Sequence, residues 1–165
     1  MKQLMLSALL MSLLAACASH PTKPEATAST AGKAATSAQT KAAAYNPLND
    51  PHNILSHRSV YYAFDKSIVK DEYKPMIKAH SEYLAGHASA KVQLQGNCDE
   101  RGSREYNLAL GQRRADSVKQ LMEAAGVSGK QISTVSYGSE KPRALGHNEE
   151  AWAQNRRTDI VYQSE

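Results

Sequence analysis

Apolar positions change their period several times along this chain, and each change marks an element. Ser59-Val60-Tyr61-Tyr62-Ala63-Phe64 is aromatic and β-branched and predicts a strand that stops at Asp65. From Asp71 to Gly86, the residues Tyr73, Met76, Ile77, His80, Tyr83 and Leu84 recur at helical spacing. Pro75 falls in the first turn of that helix, where proline is tolerated, and Gly86 offers a stop. Lys91-Val92-Gln93-Leu94-Gln95 alternates as a half-buried strand does. A long helix follows, capped by Ser103 and closed by Gly126. A strand over 131–137, a short helix over 149–154 and a strand over 158–162 complete the pattern. The order β-α-β-α-β-α-β predicts an α/β fold, an α+β sandwich with one mixed β-sheet and helices packed on one face.

One residue of the long helix breaks its own pattern. At about 100° per residue, Leu110, Val118, Leu121, Met122 and Ala125 form an apolar stripe, and Arg114 falls inside it. Arg113, roughly 140° around the helix from Val118, faces outward. An unpaired buried charge costs several kcal/mol, so an inward guanidinium needs an anion or several acceptors. The chain enters this helix through Gly96-Asn97-Cys98-Asp99-Glu100-Arg101-Gly102, which sets Asp99 at the helix mouth, where backbone N–H groups favour a carboxylate. Two arrangements satisfy Arg114. One is a structural tie to Asp99 or to backbone acceptors. The other is a pocket in which Asp99 takes the ammonium of a zwitterion and Arg114 takes its carboxylate in bidentate fashion. Spacing alone leaves both open.

The first residues read as an address. Lys2 precedes an apolar run from Leu4 to Leu14, too short to cross a hydrocarbon core of about 30 Å, and small residues follow it. Leu14-Ala15-Ala16-Cys17 resembles the bacterial lipobox, which implies acylation of Cys17 and attachment to a membrane by several acyl chains. By resemblance to bacterial lipoprotein sorting, in which an Asp after the cysteine marks retention in the inner membrane, Ala18 implies an outer-membrane, lipid-anchored location. Ala, Thr, Ser, Lys and Pro then dominate, with too few large apolar side chains to offset chain entropy. The expected organisation is a lipoprotein signal peptide over 1–16, a lipidated N-terminus and disordered tether over 17–58, and a single folded domain over 59–165. The domain holds 15 Lys and Arg against 14 Asp and Glu, so the chain's net charge of +4 lies mostly ahead of it. No basic patch points to nucleic acid. Cys98 is then the one thiol left in the folded part, and no disulfide framework is available.

The segment 95–118, "QGNCDERGSREYNLALGQRRADSV", together with "FD" at 64–65, "VSYGSEKP" at 135–142, "LGH" at 145–147 and "NRR" at 155–157, resembles the OmpA-like peptidoglycan-binding domain family. The likeness covers residues 59 to 162, and the lipobox and Ala-rich tether match the layout of the family's outer-membrane lipoproteins. It implies noncovalent binding of the peptidoglycan stem peptide, chiefly meso-diaminopimelate, whose free amino-acid end is a zwitterion. It also implies membership of the Tol-Pal system that supports envelope integrity and cell division, with TolB and TolA as partners. An envelope lipoprotein that binds peptidoglycan without Tol partners is the alternative. Carried onto this chain, the peptidoglycan-binding residues are Asp99 and Arg114, with Phe64, Asp65 and Arg101 around the ligand. Asn107, Leu110 and Asn155 to Arg157 fall at positions that shape the pocket floor and the last strand.

One departure stands out. The family usually reads Gly-His-Thr-Asp or Gly-His-Ala-Asp where this chain reads Gly96-Asn97-Cys98-Asp99. Asn97 still donates and accepts hydrogen bonds. Cys98 shares strand parity with Val92 and Leu94 and is expected to point toward the core. Its only cationic neighbour in sequence is Arg101, and His80, His87 and His147 show no ligand or triad spacing, so neither a catalytic thiol, a metal nor a cofactor is expected. His80, on the apolar side of its helix, reads as a core histidine.

Overall fold

The computed structural model describes residues 46–163; the expectations for the signal peptide, Cys17 and the rest of 1–45 lie outside the described residues. Four strands form one mixed sheet in the order β1-β4-β2-β3. They are β1 (Ser59–Tyr61), β2 (Val92–Asn97), β3 (Ile132–Gly138) and β4 (Arg157–Tyr162). β4 lies antiparallel to both neighbours, with Leu94 of β2 opposite Ile160. β3 runs parallel to β2, with Val92 opposite Ile132, and a parallel pair needs a long crossover. Helix α2 (Arg104–Ala124) supplies it, capped by the Ser103 hydroxyl and closed at Gly126, whose φ is +96°. Helix α1 (Lys74–Gly86) and the short α3 (Glu149–Asn155) complete the expected order.

Val60, Val92, Leu94, Ile132 and Ile160 from the sheet meet Met76, Ile77 and Leu84 of α1 and Ala115, Val118 and Met122 of α2 in one core. The two long helices therefore share one face of the sheet. Helix α3 instead braces the end of the domain, where the Asn155 amide accepts from the backbone N–H groups of Arg143 and Ala144 and donates to the Ala144 carbonyl. β1 is shorter than the expected 59–64. Tyr62 still donates its N–H to Arg156, but Asp65 adopts a φ of +55°, so the chain turns out of the sheet at the residues that later line the site.

α2 crosses β2 at a glycine pair. A Cβ placed on Gly96 would fall inside the Gly111 carbonyl, and one on Gly111 would strike the Ser136 hydroxyl. No other residue permits this backbone approach. It sets the depth of Arg114, one turn beyond Gly111, against Asn97 to Asp99, which follow Gly96.

The folded unit starts earlier than Ser59, which corrects the expected tether boundary at Arg58. Leu48 and Leu55 are both buried in the core, Asn53 caps a 3₁₀ turn over Ile54–Ser56, and Arg58 donates to the Leu48 carbonyl at 2.7 Å. The polar composition around Asp50 hides these two leucines, which are enough to hold the segment down. His80 seals the same junction. Its Nε2 donates to the His57 carbonyl and its Nδ1 accepts from the Tyr162 hydroxyl, both at 2.9 Å, with no surface exposed. It is a core histidine, as expected.

Truncating the junction is expected to weaken the whole domain. Leu55→Ala should cost about 2 kcal/mol in urea unfolding, because a core methyl cluster leaves a cavity; an unchanged midpoint would return the segment to the tether. Burial pushes the His80 imidazole down from its ordinary value near 6.5, so the unfolded chain takes up the proton first. His80 thus contributes its full share of stability above about pH 6.5 and loses it as pH falls toward the lowered folded value. Unfolding midpoints measured from pH 7.5 to 5 should decline, and His80→Gln should flatten the decline.

Candidate ligand-binding site

Two loops leave the sheet side by side, one after β1 and one after β2, and Arg114 ties them together. The guanidinium donates from Nε to the Lys66 carbonyl at 2.8 Å and from Nη2 to the Ala63 carbonyl at 3.3 Å, both in the first loop. From Nη1 it donates to the Asn97 carbonyl at 2.8 Å, at the end of β2, and to the Cys98 sulfur at 3.4 Å, at the start of the second loop. Its face lies over the Tyr62 ring at 5.0 Å, and the Tyr62 hydroxyl returns to the Arg114 carbonyl. The side chain is wholly buried. Of the two arrangements open from spacing, the backbone one is realised, and these bonds involve no carboxylate. Burial pushes the Arg114 guanidinium below its ordinary value, against the opposing pull of Cys98, Tyr62 and Asp99.

Asp99 meets a different set of groups. It does not sit on the α2 N-terminus as expected, because Ser103 occupies the cap. Its Oδ1 accepts the Arg101 backbone N–H at 3.1 Å, and its Oδ2 accepts Arg101 Nη2 at 2.6 Å and Arg156 Nη1 at 3.3 Å. Burial raises the Asp99 carboxyl, but hydrogen bonds from Arg101 and Arg156 outweigh it and hold the group below its ordinary value. Arg156 is itself fixed, donating to the Tyr62 carbonyl at 3.0 Å and to Glu149 at 2.6 Å.

Between these groups opens a cavity of about 170 Å3, lined by Phe64 and Asp65 from the first loop, Cys98, Asp99 and Arg101 from the second, and Tyr106, Asn107, Leu110 and Arg114 from α2. All five candidate binding residues thus come to one place. The Tyr106 hydroxyl donates to Asp65, and the Asn107 amide holds the Asp99 and Arg101 carbonyls. Arg101 lies between two aromatic rings, 4.1 Å from the centre of Phe64 and 4.0 Å from that of Trp152. Cys98 is buried on the core side, as expected, and also lines the cavity, donating to the Asn107 carbonyl. The register shift between Gly96 and Asn97 leaves Tyr137 of β3 without a partner on β2. Burial pushes the Cys98 thiol up, which keeps it protonated.

Sequence reasoning treated Arg156 as a strand-shaping residue; the structure makes it the fixed partner of Asp99. Glu149, Tyr106 and Trp152 escaped notice altogether. Tyr106 reaches the site from α2, and Glu149 and Trp152 reach it from α3, about fifty residues beyond Asp99. Among the described residues, no cluster of three or more His, Cys, Asp or Glu side chains is arranged for a metal ion.

A buried guanidinium and a buried carboxylate thus stand at the loop ends of the mixed sheet of a small α/β domain. The OmpA family model matches residues 61–156. The peptidoglycan-associated lipoprotein of Pasteurella multocida is 50% identical over 106 residues, spanning 64% of this chain and 71% of that one. Its counterpart in Legionella pneumophila is 48% identical over 114 residues, spanning 69% and 62%. The crystal structure of the peptidoglycan-associated lipoprotein from Burkholderia pseudomallei is 52% identical, with a TM-score of 0.71, and covers 72% of this chain and 100% of its own. The C-terminal domain of Helicobacter pylori MotB, 20% identical with a TM-score of 0.59, shares the fold. The chain belongs to the OmpA family, in its peptidoglycan-associated lipoprotein branch.

Removing the buried guanidinium is expected to loosen both loops. Arg114→Met keeps the bulk but strands three carbonyls, and should cost about 3 kcal/mol in chemical unfolding. A loss under about 0.5 kcal/mol would show that the loops stand without it.

Proposed function

We propose that this chain is an outer-membrane lipoprotein that binds the peptidoglycan stem peptide noncovalently through the free amino-acid end of meso-diaminopimelate. Asp99 receives the ligand ammonium, Arg114 receives its carboxylate, and Phe64, Asp65 and Arg101 line the pocket around it. One observation carries this reading: Arg114 is fully buried beside the cavity, and its bonds go to neutral carbonyls and a thiol. Three N–H groups are committed to carbonyls and a fourth to sulfur, which leaves an Nη2 hydrogen for an arriving anion. A carboxylate there supplies the missing counter-charge.

Acylation at Cys17 fixes the other end in the outer membrane, and the domain faces the periplasm. The residues between Ala18 and Asn46 reach at most about 100 Å when extended, which sets how far from the membrane the wall can lie. The lipoprotein thereby ties the membrane to the wall within the Tol-Pal system, with TolB and TolA as protein partners, and supports envelope integrity during division. The pocket holds one ligand head group through a few polar contacts, so single-site affinity is modest. Many copies in one membrane facing a repetitive polymer gain avidity.

Cosedimentation of the full chain, in mild detergent, with purified peptidoglycan tests the reading. Wild type should pellet, and Asp99→Asn, which keeps the shape but loses the charge, should bind at least about tenfold more weakly. Walls carrying lysine in place of diaminopimelate lack the carboxylate opposite Arg114 and should bind comparably weakly. Equal pelleting of both proteins on both walls would exclude the zwitterion pocket.

A further inference from the structure

The two groups assigned to the ligand are both hidden. Asp99 is 4% exposed and Arg114 not at all, so a zwitterion reaches neither until something in the rim moves. The contacts of Asp99 identify what moves. Of its two arginine partners, Arg156 has a side chain 6% exposed and is anchored on Tyr62 and Glu149, whereas the Arg101 side chain is 31% exposed. Arg101 covers both carboxylate oxygens, from Nε to Oδ1 at 3.3 Å and from Nη2 to Oδ2 at 2.6 Å. A ligand ammonium needs those same oxygens.

Resting on the proposed ligand, the geometry points to Arg101 as an internal competitor: its guanidinium plugs Asp99 in the empty site, and a ligand ammonium binds by displacing it. Three features suit it to that task. Gly102, with φ of +100°, follows it and gives the loop a residue free to pivot. The rings of Phe64 and Trp152 sandwich the guanidinium and can guide its plane as it slides. Glu149 waits on the far side, with its Oε2 already 3.8 Å from Arg101 Nη2. A displaced Arg101 therefore keeps a carboxylate, a stacking surface and its charge in partial contact with solvent. Asp99 keeps its aim meanwhile, because the Arg101 backbone N–H and Arg156 Nη1 stay in place. Arg101 then sets specificity as well as affinity. A ligand must bring a cation able to replace a guanidinium, and a neutral or purely anionic head group leaves the plug seated.

Trp152 reports the event, since it is the chain's single tryptophan and stacks on Arg101 while donating Nε1–H to Glu100 at 2.8 Å. The probe is the tripeptide L-alanyl-γ-D-glutamyl-meso-diaminopimelate, titrated calorimetrically and by fluorescence into the full chain in mild detergent. Wild type should bind with a change in Trp152 emission. Arg101→Ala should bind roughly threefold more tightly, the gain expected from removing a half-exposed competing ion pair, and its emission should no longer respond. Arg101→Lys, which restores a cation beside Asp99, should bring the affinity back toward wild type. Weaker or unchanged binding by Arg101→Ala, with wild type binding normally, would make Arg101 an ordinary ligand contact or a bystander and overturn this inference alone. Absence of binding by wild type would overturn the ligand assignment and this inference together.

Discussion

Everything at the functional end of this domain hangs on one buried guanidinium. Beyond the Tyr62 N–H bond to Arg156 and the Cys98 N–H bond to Gly138, Arg114 ties the loop after β1 to the end of β2 with donors from a single planar group. A planar fork with five donors in fixed directions can satisfy carbonyls arriving from two sides, which an ammonium cannot do. The Gly96–Gly111 approach makes this possible by drawing α2 against β2 just before the helix reaches Arg114. Backbone proximity, a buried charge and loop conformation are thus one coupled feature.

That coupling explains why the site is charged yet closed. Three arginines, Arg101, Arg114 and Arg156, converge with Asp99 and Glu149, and the carboxylates pair with Arg101 and Arg156 while Arg114 is left to carbonyls. Burying such a set contributes little net stability, because desolvation offsets most of the attraction. Its effect is directional. Each carboxylate oxygen and each guanidinium N–H points along a fixed line, so the charged groups of the site hold one arrangement. The empty site is also self-satisfied through Arg101, which avoids leaving Asp99 bare.

The sequence was most legible where periodicity governs. The core positions of α1, α2 and the central strands follow spacing closely, and the inward Arg114 was visible because it interrupts an apolar stripe. The family likeness then brought Phe64, Asp65, Asp99 and Arg101 to the same place. Two kinds of information escaped. Leu48 and Leu55 sit in a polar stretch without a period, so their burial depends on the surface they land on rather than on their own pattern. Arg156, Glu149 and Trp152 join the site only because α3 folds back over the β2 loop, and contacts of that length leave no local mark.

The placement of the two functional ends bears on how the domain carries load in the proposed role. The chain from the membrane enters at the junction formed by Leu48, Leu55 and His80 and runs directly into β1 at Ser59. β1 delivers it to Tyr62, whose carbonyl is held by Arg156 and whose ring lies under Arg114, at the mouth of the ligand cavity. Tension between a membrane anchor and a wall ligand therefore acts at opposite ends of β1. Such tension runs along β1, and the ladder joining β1 to β4 lies across it. The Tyr62 hydroxyl bonds to Arg114 and Thr158 add a buried tie from β1 to both α2 and β4 at the loaded end. A strand of three residues is short for a mechanical element, and it is this lateral tying, more than its own ladder, that joins the junction to the site.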